Sequence, residues 1–402
     1  MIAYIAYPTS LTLQSANALQ TFTTLRELRA RRPDTIALIP RWGREPSRFG
    51  EVGAIHLPRP AIGKLSRLHR STLLYYLEHT AFACMTAAYL APRRHAVEAV
   101  YVRQVVVAAW WAALLGPRLG VPVIYEAHDL ETRNPSRARE RWAAGVLHLI
   151  DRAALTRCSA VVSLTDDFRR LLATIGWRDP AEVFVIPDAY DERLFAPQDR
   201  AAARQTLGLP PTAPIVAYAG MTFAHRWLDG LLAAVARLRD VYPTVTLVLV
   251  GGREAEREAL RAEARRMGLP SEALWLVPPQ PQAAVAAYLA AADVLAIPDT
   301  VTDVTASPLK LFEYLALGQP LVLPAIPALH EIVPPGLCHS FARRDLNGLS
   351  AALRAAFAAA PDAAGAAARR ALAAEHTYGR RAERIIAVVE AVMSQGPSTR
   401  HR

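Results

Sequence analysis

Short apolar runs alternate with stretches of helical periodicity along almost all of this 402-residue chain. The first runs are Ile2–Ala6 and Ile36–Ile39, separated by a helical stretch from about Ser15 to Arg31; then come Ala99–Val102, Val121–Tyr125, Ala160–Val162 and Val183–Ile186. Each is too short for a helix and is bounded by turn residues, which predicts about six strands of a parallel sheet with crossover helices. The segment 197–214 holds Pro197, Gly208, Pro210, Pro211 and Pro214 and reads as an interdomain linker. A second alternating series follows, with strands at Ile215–Tyr218, Thr246–Val250, Ala273–Val277, Val294–Ile297 and Leu321–Leu323. Two Rossmann-like domains in tandem are implied, with the cleft between them, at the carboxyl ends of the strands, as the expected ligand site.

Two stretches interrupt the alternation. Between Arg41 and Arg70 the chain is rich in Pro, Gly and Arg and reads as a long exposed connection. Ser71–Leu90 is apolar enough to approach a membrane span, but Glu78 and His79 at its middle favour a buried core helix, with an interfacial helix left open.

Composition narrows the class. Hydrophobic residues at 52% and charged residues at 20% describe a globular chain. Cys84, Cys158 and Cys338 form no CxxC pair, so neither a disulfide framework nor a zinc site is indicated, and a reducing cytoplasm is the expectation. The start, MIAYIAYPTS, lacks a basic segment and a long apolar core, so no secretory signal is read there. Residues 1–180 carry 24 Lys and Arg against 14 Asp and Glu, and the remainder 22 against 22, so the net +10 lies entirely in the first half. That excess suits an acidic acceptor or an anionic membrane surface, or reflects only an arginine-rich composition. Nucleic acid is not expected, because the basic residues do not cluster with aromatics in a binding module.

The most telling chemistry lies in Ser307–Val322, SPLKLFEYLALGQPLV. Ser307 is expected as helix N-cap and Pro308 at the first helical position; Leu309, Phe312, Leu315 and Ala316 share a face, and Gly318 and Pro320 end the helix. Lys310 falls in the first turn, where exposed amides already make the potential positive, and the chain has only one other lysine, Lys64. An anion bound there would reverse the penalty; an i to i+3 pair with Glu313 is the plainer alternative. Gly220 ends the first strand of the second series, Arg226 follows six residues on, and Gly251-Gly252 ends the next strand, all suited to a close phosphate. In the first series VIYEAHD runs from a strand into Glu126, His128 and Asp129, and Arg103 ends the preceding strand; these are candidates to face the cleft. The turn Pro8–Ser15 lacks the glycines of a dinucleotide site, so a classical nicotinamide cofactor is not expected. No DxD triplet, GxSxG elbow or Walker A loop is present, so neither Asp-metal phosphate binding nor a lipase-type or P-loop enzyme is indicated.

The EAHD strand end, the Gly220–Arg226 turn, the segment VFVIPDAYDERLF at Val183–Phe195, the Ser307–Val322 stretch and HTYGRRAERIIAVVEAV at His376–Val392 occur in an order that resembles the retaining, GT-B-fold glycosyltransferases of family four. The resemblance implies an α/β GT-B fold of two Rossmann-like domains facing across a cleft. It divides the chain into an acceptor-side domain at 1–196, a linker at 197–214, a nucleotide-sugar domain at 215–375, and a last helix and tail at 376–402 crossing back to the first domain. It implies transfer of a sugar from a nucleotide diphosphate sugar, the co-substrate, to a glycan, lipid-linked or small-molecule acceptor, with no metal and no cofactor. His128 would take the catalytic position, with Gly220, Arg226, Thr305, Ser307, Leu309, Lys310 and Glu313 on the donor, and Arg103, Glu126 and Asp129 as further cleft residues. Arg226 stands where the family carries a lysine, Met221 where many relatives carry a phosphate-contacting arginine, and Thr305 where they carry a glutamate for the donor sugar. A non-catalytic glycosyltransferase-like subunit and a sugar-nucleotide epimerase on the same fold stay open as alternatives. A cytoplasmic location, with peripheral contact at the inner face of the membrane through the basic first domain, is the corresponding expectation.

Overall fold

A computed structural model describes residues 1–59, 72–133, 142–300, 303–304, 307–359 and 362–395. The chain divides into two compact units, one of Met1–Pro187 with Tyr378–Arg402, the other of Asp188–Thr377.

The first unit is built on a seven-stranded parallel sheet. Its strands are β1 (Ile2–Ile5), β2 (Ile36–Arg41), β3 (Ala54–Pro58), β4 (Ala99–Val102), β5 (Val123–Ala127), β6 (Ala160–Ser163) and β7 (Val183–Val185). They lie in the order β3-β2-β1-β4-β5-β6-β7. The central strands read as continuous apolar runs because helices cover both faces. On one face the helices Ala16–Arg31 and Tyr378–Ser394 pack Leu25, Leu28, Ile385 and Val389 onto Ile2, Tyr4 and Ile124. Sequence order reverses between β1 and β4, the switch point at which such sheets open a crevice for ligands.

β3 corrects the reading of 41–70 as one exposed connection. A 3-10 turn at Phe49–Val52 leads into β3, which pairs with β2 at Ala37–Arg41. The strand is half-exposed along its length and ends in Pro58, a pattern suited to an edge and poor in periodic signal. Residues 60–71 lie outside the described residues.

The second unit carries a six-stranded parallel sheet, β8 (Ile215–Ala219), β9 (Thr246–Val250), β10 (Leu274–Val277), β11 (Val294–Ala296), β12 (Leu321–Pro324) and β13 (His339–Phe341). The order is β10-β9-β8-β11-β12-β13, with the switch between β8 and β11. Helices Leu228–Leu238 and Leu346–Ala358 cover one face; Gln282–Ala290 and Leu309–Leu317 cover the other. β13 is a three-residue edge strand with no sequence signature of its own.

The stretch read as a linker is an integral part of this unit. Asp199 caps the helix Arg200–Leu207 by accepting the Ala202 N–H at 2.7 Å, and Gly208 ends it in the left-handed conformation. Arg204, buried, donates to the carbonyls of Ala291, Pro211 and Ala213 and pairs with Asp293 at 2.6 Å. The prolines of 197–214 therefore brace a packed segment, and the chain passes between units at residues 187 and 188 instead.

Candidate functional site

In the second unit the fully buried β8 delivers Gly220 at the carboxyl edge of the sheet, beside the switch point. Its N–H donates to the Val250 carbonyl at 2.9 Å, and its φ of 136° is one that a side chain would strain. A Cβ built there would lie 2.8 Å from Lys310 Nζ. Glycine thus leaves room for a lysine head against the backbone. Gly251, also at positive φ, packs on the Gly220 carbonyl, so the ends of β8 and β9 approach each other without side chains between them.

The helix Leu309–Leu317 supplies the other side. Its buried residues Leu311, Phe312, Leu315 and Ala316 anchor it to the core, and Gly318 closes it in the left-handed conformation. Ser307 is not its cap: the N-cap is Pro308, with no side chain on the first amides. The Ser307 hydroxyl instead accepts the Asp188 N–H at 3.0 Å, tying the approach to the helix onto the start of the second unit. The helix start, with Leu309 half-buried, keeps orphan donors, the arrangement an anion needs.

Lys310 sits in that first turn with Nζ 3.8 Å from the centre of the Tyr218 ring. Among the described residues neither Lys310 nor Glu313 forms an ion pair or hydrogen bond, so the i to i+3 pair is not made. Burial, reinforced by the charge of Arg226 and opposed by Glu313, holds the Lys310 ammonium well below the usual lysine range. Burial raises the Glu313 carboxyl to about 7 in spite of Lys310. Arg226 ends the 3-10 turn Ala224–Arg226, and its Nε is buried with no hydrogen-bond partner among the described residues. Next to it His225 Nε2 is also buried without a partner, its imidazole lowered by burial and by Arg226. The site therefore gathers cations without anions to match, which a bound polyanion would repair. Thr305 lies outside the described residues.

The first-unit candidates divide differently. Glu126 lies within β5 and is fully buried, so it does not face a ligand. Its carboxylate takes Arg103 Nε at 2.9 Å, Arg381 Nη2 at 2.6 Å and the hydroxyl of Tyr101. Burial alone would raise this carboxyl, yet the two guanidinium groups hold it well below the usual range. Arg103 also bonds Gln20 and Thr21 of the first helix, so it too is spent on structure. Arg381, from the last helix, was not expected in this group; it further donates to the carbonyls of Ile186 and Pro187 at 2.9 and 2.6 Å. With 44 arginines in the chain, nothing local distinguishes it.

His128, beyond β5, is about one-third exposed, its Nε2 2.9 Å from Glu126 Oε1 and 3.1 Å from Arg103 Nη2. The carboxylate favours a proton on Nε2 and the Arg103 N–H disfavours one, so the two contacts oppose each other at a single nitrogen. Burial lowers the imidazole despite the bond to Glu126, so the ring is neutral near pH 7. Asp129 accepts the Leu130 N–H at 2.8 Å, and its carboxyl is raised to about 6 by burial. Asp151, buried in the helix Ala144–Arg157, accepts the N–H groups of Glu131 and Thr132 at 3.1 Å and so fixes the turn after His128; sequence reasoning missed it. Among the described residues no three His, Cys, Asp or Glu are grouped to hold a metal ion, and no helix is long and apolar enough to cross a membrane.

Comparison with known proteins agrees with this architecture in both units. A family model described as "Glycosyl transferase 4-like domain" matches residues 18–189, and one described as "Glycosyl transferases group 1" matches 213–359. The solved structure of Anabaena HepE in complex with UDP superposes over 97% of this chain and 100% of its own, with a TM-score of 0.73 at 16% identity. The chain belongs to the GT-B-fold glycosyltransferases. The same fold extends to the sucrose-phosphate synthase of Thermosynechococcus elongatus, with a TM-score of 0.68 at 20% identity over 98% of this glycosyltransferase and 96% of that chain. In sequence, the glycosyltransferase is 33% identical over 190 residues to a D-inositol 3-phosphate glycosyltransferase of Segniliparus rotundus, covering 46% of this chain and 42% of that one. It is 31% identical over 268 residues to the like-named protein of Mycobacterium avium, covering 65% and 61%. The chain thus spans between two-fifths and three-fifths of the length of these curated relatives.

Proposed function

We propose that this glycosyltransferase moves a sugar from a nucleotide diphosphate sugar to an acceptor hydroxyl with retention of configuration. The observation that carries the reading is the unpaired cation cluster of Arg226 and Lys310 against Gly220 and the open helix start. A diphosphate seated there brings the missing anion. Its phosphate oxygens favour the charged form of Lys310 and accept from Arg226 and from the amides of Leu309 and Lys310. These groups then stabilise the charge that grows on the leaving diphosphate, the contribution that is usually largest in catalysis. Glu313, one turn along, reaches the donor ribose. His128 contacts the donor sugar. The bond from the anomeric carbon to the diphosphate breaks, the bond to the acceptor oxygen forms on the same face, and the acceptor proton passes to the departing phosphate oxygen. Arg226 and Lys310 supply the positive charge such a step needs without a metal.

A thermal-shift screen of UDP-, GDP-, ADP- and TDP-sugars tests the reading. One of them at ~100 times its dissociation constant stabilises the protein by about 2.7 kcal/mol; no shift with any would contradict it. The location proposed alongside is cytoplasmic, with peripheral attachment to the inner face of the membrane. It rests on the basic first half and on Trp142, Val146 and Leu149, which are 80%, 57% and 65% exposed at helical spacing.

A further inference from the structure

The first unit holds a second cluster at the carboxyl edge of its sheet, which none of the roles above uses. Tyr7 follows β1, Arg59 follows β3, Gln104 follows β4, and Tyr75, Glu78 and His79 come from the helix Thr72–Leu90. Tyr7 and Gln104 therefore flank the β1/β4 switch point, where open parallel sheets bind their ligands. Glu78 accepts from the Tyr7 hydroxyl and pairs with Arg59 Nε at 2.5 Å. The Arg59 guanidinium lies 5.4 Å from the centre of the Tyr7 ring. The imidazole of His79 sits between two tyrosines, 4.1 Å from Tyr7 and 4.0 Å from Tyr75. Gln104 donates to the Tyr75 hydroxyl at 3.0 Å while its carbonyl oxygen caps the next helix at Val107.

Side chains that merely stitch a core together would be buried. Here only His79 is, whereas Tyr7, Arg59, Tyr75, Glu78 and Gln104 are all partly open to solvent. Their polar chemistry suits a sugar: a carboxylate, a guanidinium, a carboxamide and two phenol hydroxyls to bond its hydroxyls. Charge selects the class. Arg59 and Glu78 cancel each other, and His79 donates through Nδ1 to the Tyr75 carbonyl at 2.7 Å. A phosphorylated acceptor would have to part Arg59 from Glu78 and then face the carboxylate; a neutral polyol leaves the pair intact. β1 lies two strand spacings from β5, roughly 10 Å, so a sugar at Tyr7 is within one residue's length of His128.

We infer that Tyr7, Arg59, Tyr75, Glu78 and Gln104 form the acceptor subsite and that the acceptor is the uncharged sugar terminus of a glycan. The inference rests on the glycosyl-transfer reading above, but its test does not use the donor. Saturation-transfer NMR on the full chain is run with methyl α- and β-glucoside, galactoside and mannoside, and with glucose 6-phosphate and mannose 6-phosphate as charged probes. The expected result is binding of at least one methyl glycoside, weakened about ten-fold, the worth of one lost contact, by Tyr75→Ala and by Arg59→Gln, and unchanged in Lys310→Met. Arg59→Gln at a partly exposed position guards against a Tyr75→Ala protein that fails to fold. Binding of none of the glycosides, tighter binding of the sugar phosphates, or equal binding by both variants would overturn the inference. Failure of nucleotide binding alone would sink the donor reading and leave this result standing.

Discussion

Glu126 and Lys310 are both charged groups at the edge of a parallel sheet, the first fully buried and the second half-buried, and they have opposite surroundings. Glu126 is matched by Arg103 and Arg381 and by the Tyr101 hydroxyl, with no capacity to spare. Lys310 has an aromatic face, a glycine and a second cation, Arg226, and no anion at bonding distance among the described residues. A buried charge whose partners are all present holds a fold together; one whose partner is absent is waiting for a ligand. The first unit uses its network to join the last helix to the sheet, and the second leaves its cations open.

Substitution should separate the two clusters. Glu126→Gln leaves Arg103 and Arg381 unpaired in the core and is expected to cost about 3–5 kcal/mol of stability, read as a lowered urea midpoint; a shift under 1 kcal/mol would mean that the network carries little. Lys310→Met removes a cation that its half-buried position and Arg226 disfavour, so the midpoint should hold or rise, while turnover falls ~10²–10³-fold. Equal loss of stability in both variants would erase the distinction.

The pH dependence sharpens it. The Glu313 carboxyl is raised to about 7 in the folded protein from an ordinary value of 4.5. Its contribution is fully present below that ordinary value and is lost as pH rises through the raised one. The melting temperature of the wild type should therefore fall relative to Glu313→Gln between those two values; parallel curves would show that Glu313 ionises freely. The smallest expected effect is at the surface. Trp142→Ala combined with Leu149→Ala should weaken sedimentation with phosphatidylglycerol vesicles by ~10-fold or more, given the apolar area removed, and leave nucleotide binding intact; unchanged sedimentation would detach this face from any membrane role.

What the sequence disclosed follows from the same physics. Strands covered on both faces are unbroken apolar runs, so β1, β2 and β8 stood out, while the half-exposed β3 and the three-residue β13 did not. Lys310 was legible because a cation is an odd choice at a helix start, and Gly220 because it ends a buried strand. Ser307 was misread since its hydroxyl has a competing donor, the Asp188 N–H, remote in sequence. Arg103 and Glu126 were visible as polar residues at strand ends, but whether they serve a ligand or each other depends on Arg381, which only folding brings to them. The tyrosines and Glu78 around Arg59 were hidden for the same reason, scattered over β1, β3, β4 and one apolar helix.

Calorimetric titration of UDP, GDP, ADP and TDP into the wild type and into Lys310→Met shows whether the Lys310 cation serves a diphosphate. At least one diphosphate should bind the wild type and bind Lys310→Met at least ~10-fold more weakly, a loss of about 1.4 kcal/mol, with Lys310→Met at least as resistant to urea as the wild type. Equal affinity in the two proteins, or binding of none of the four, would contradict it.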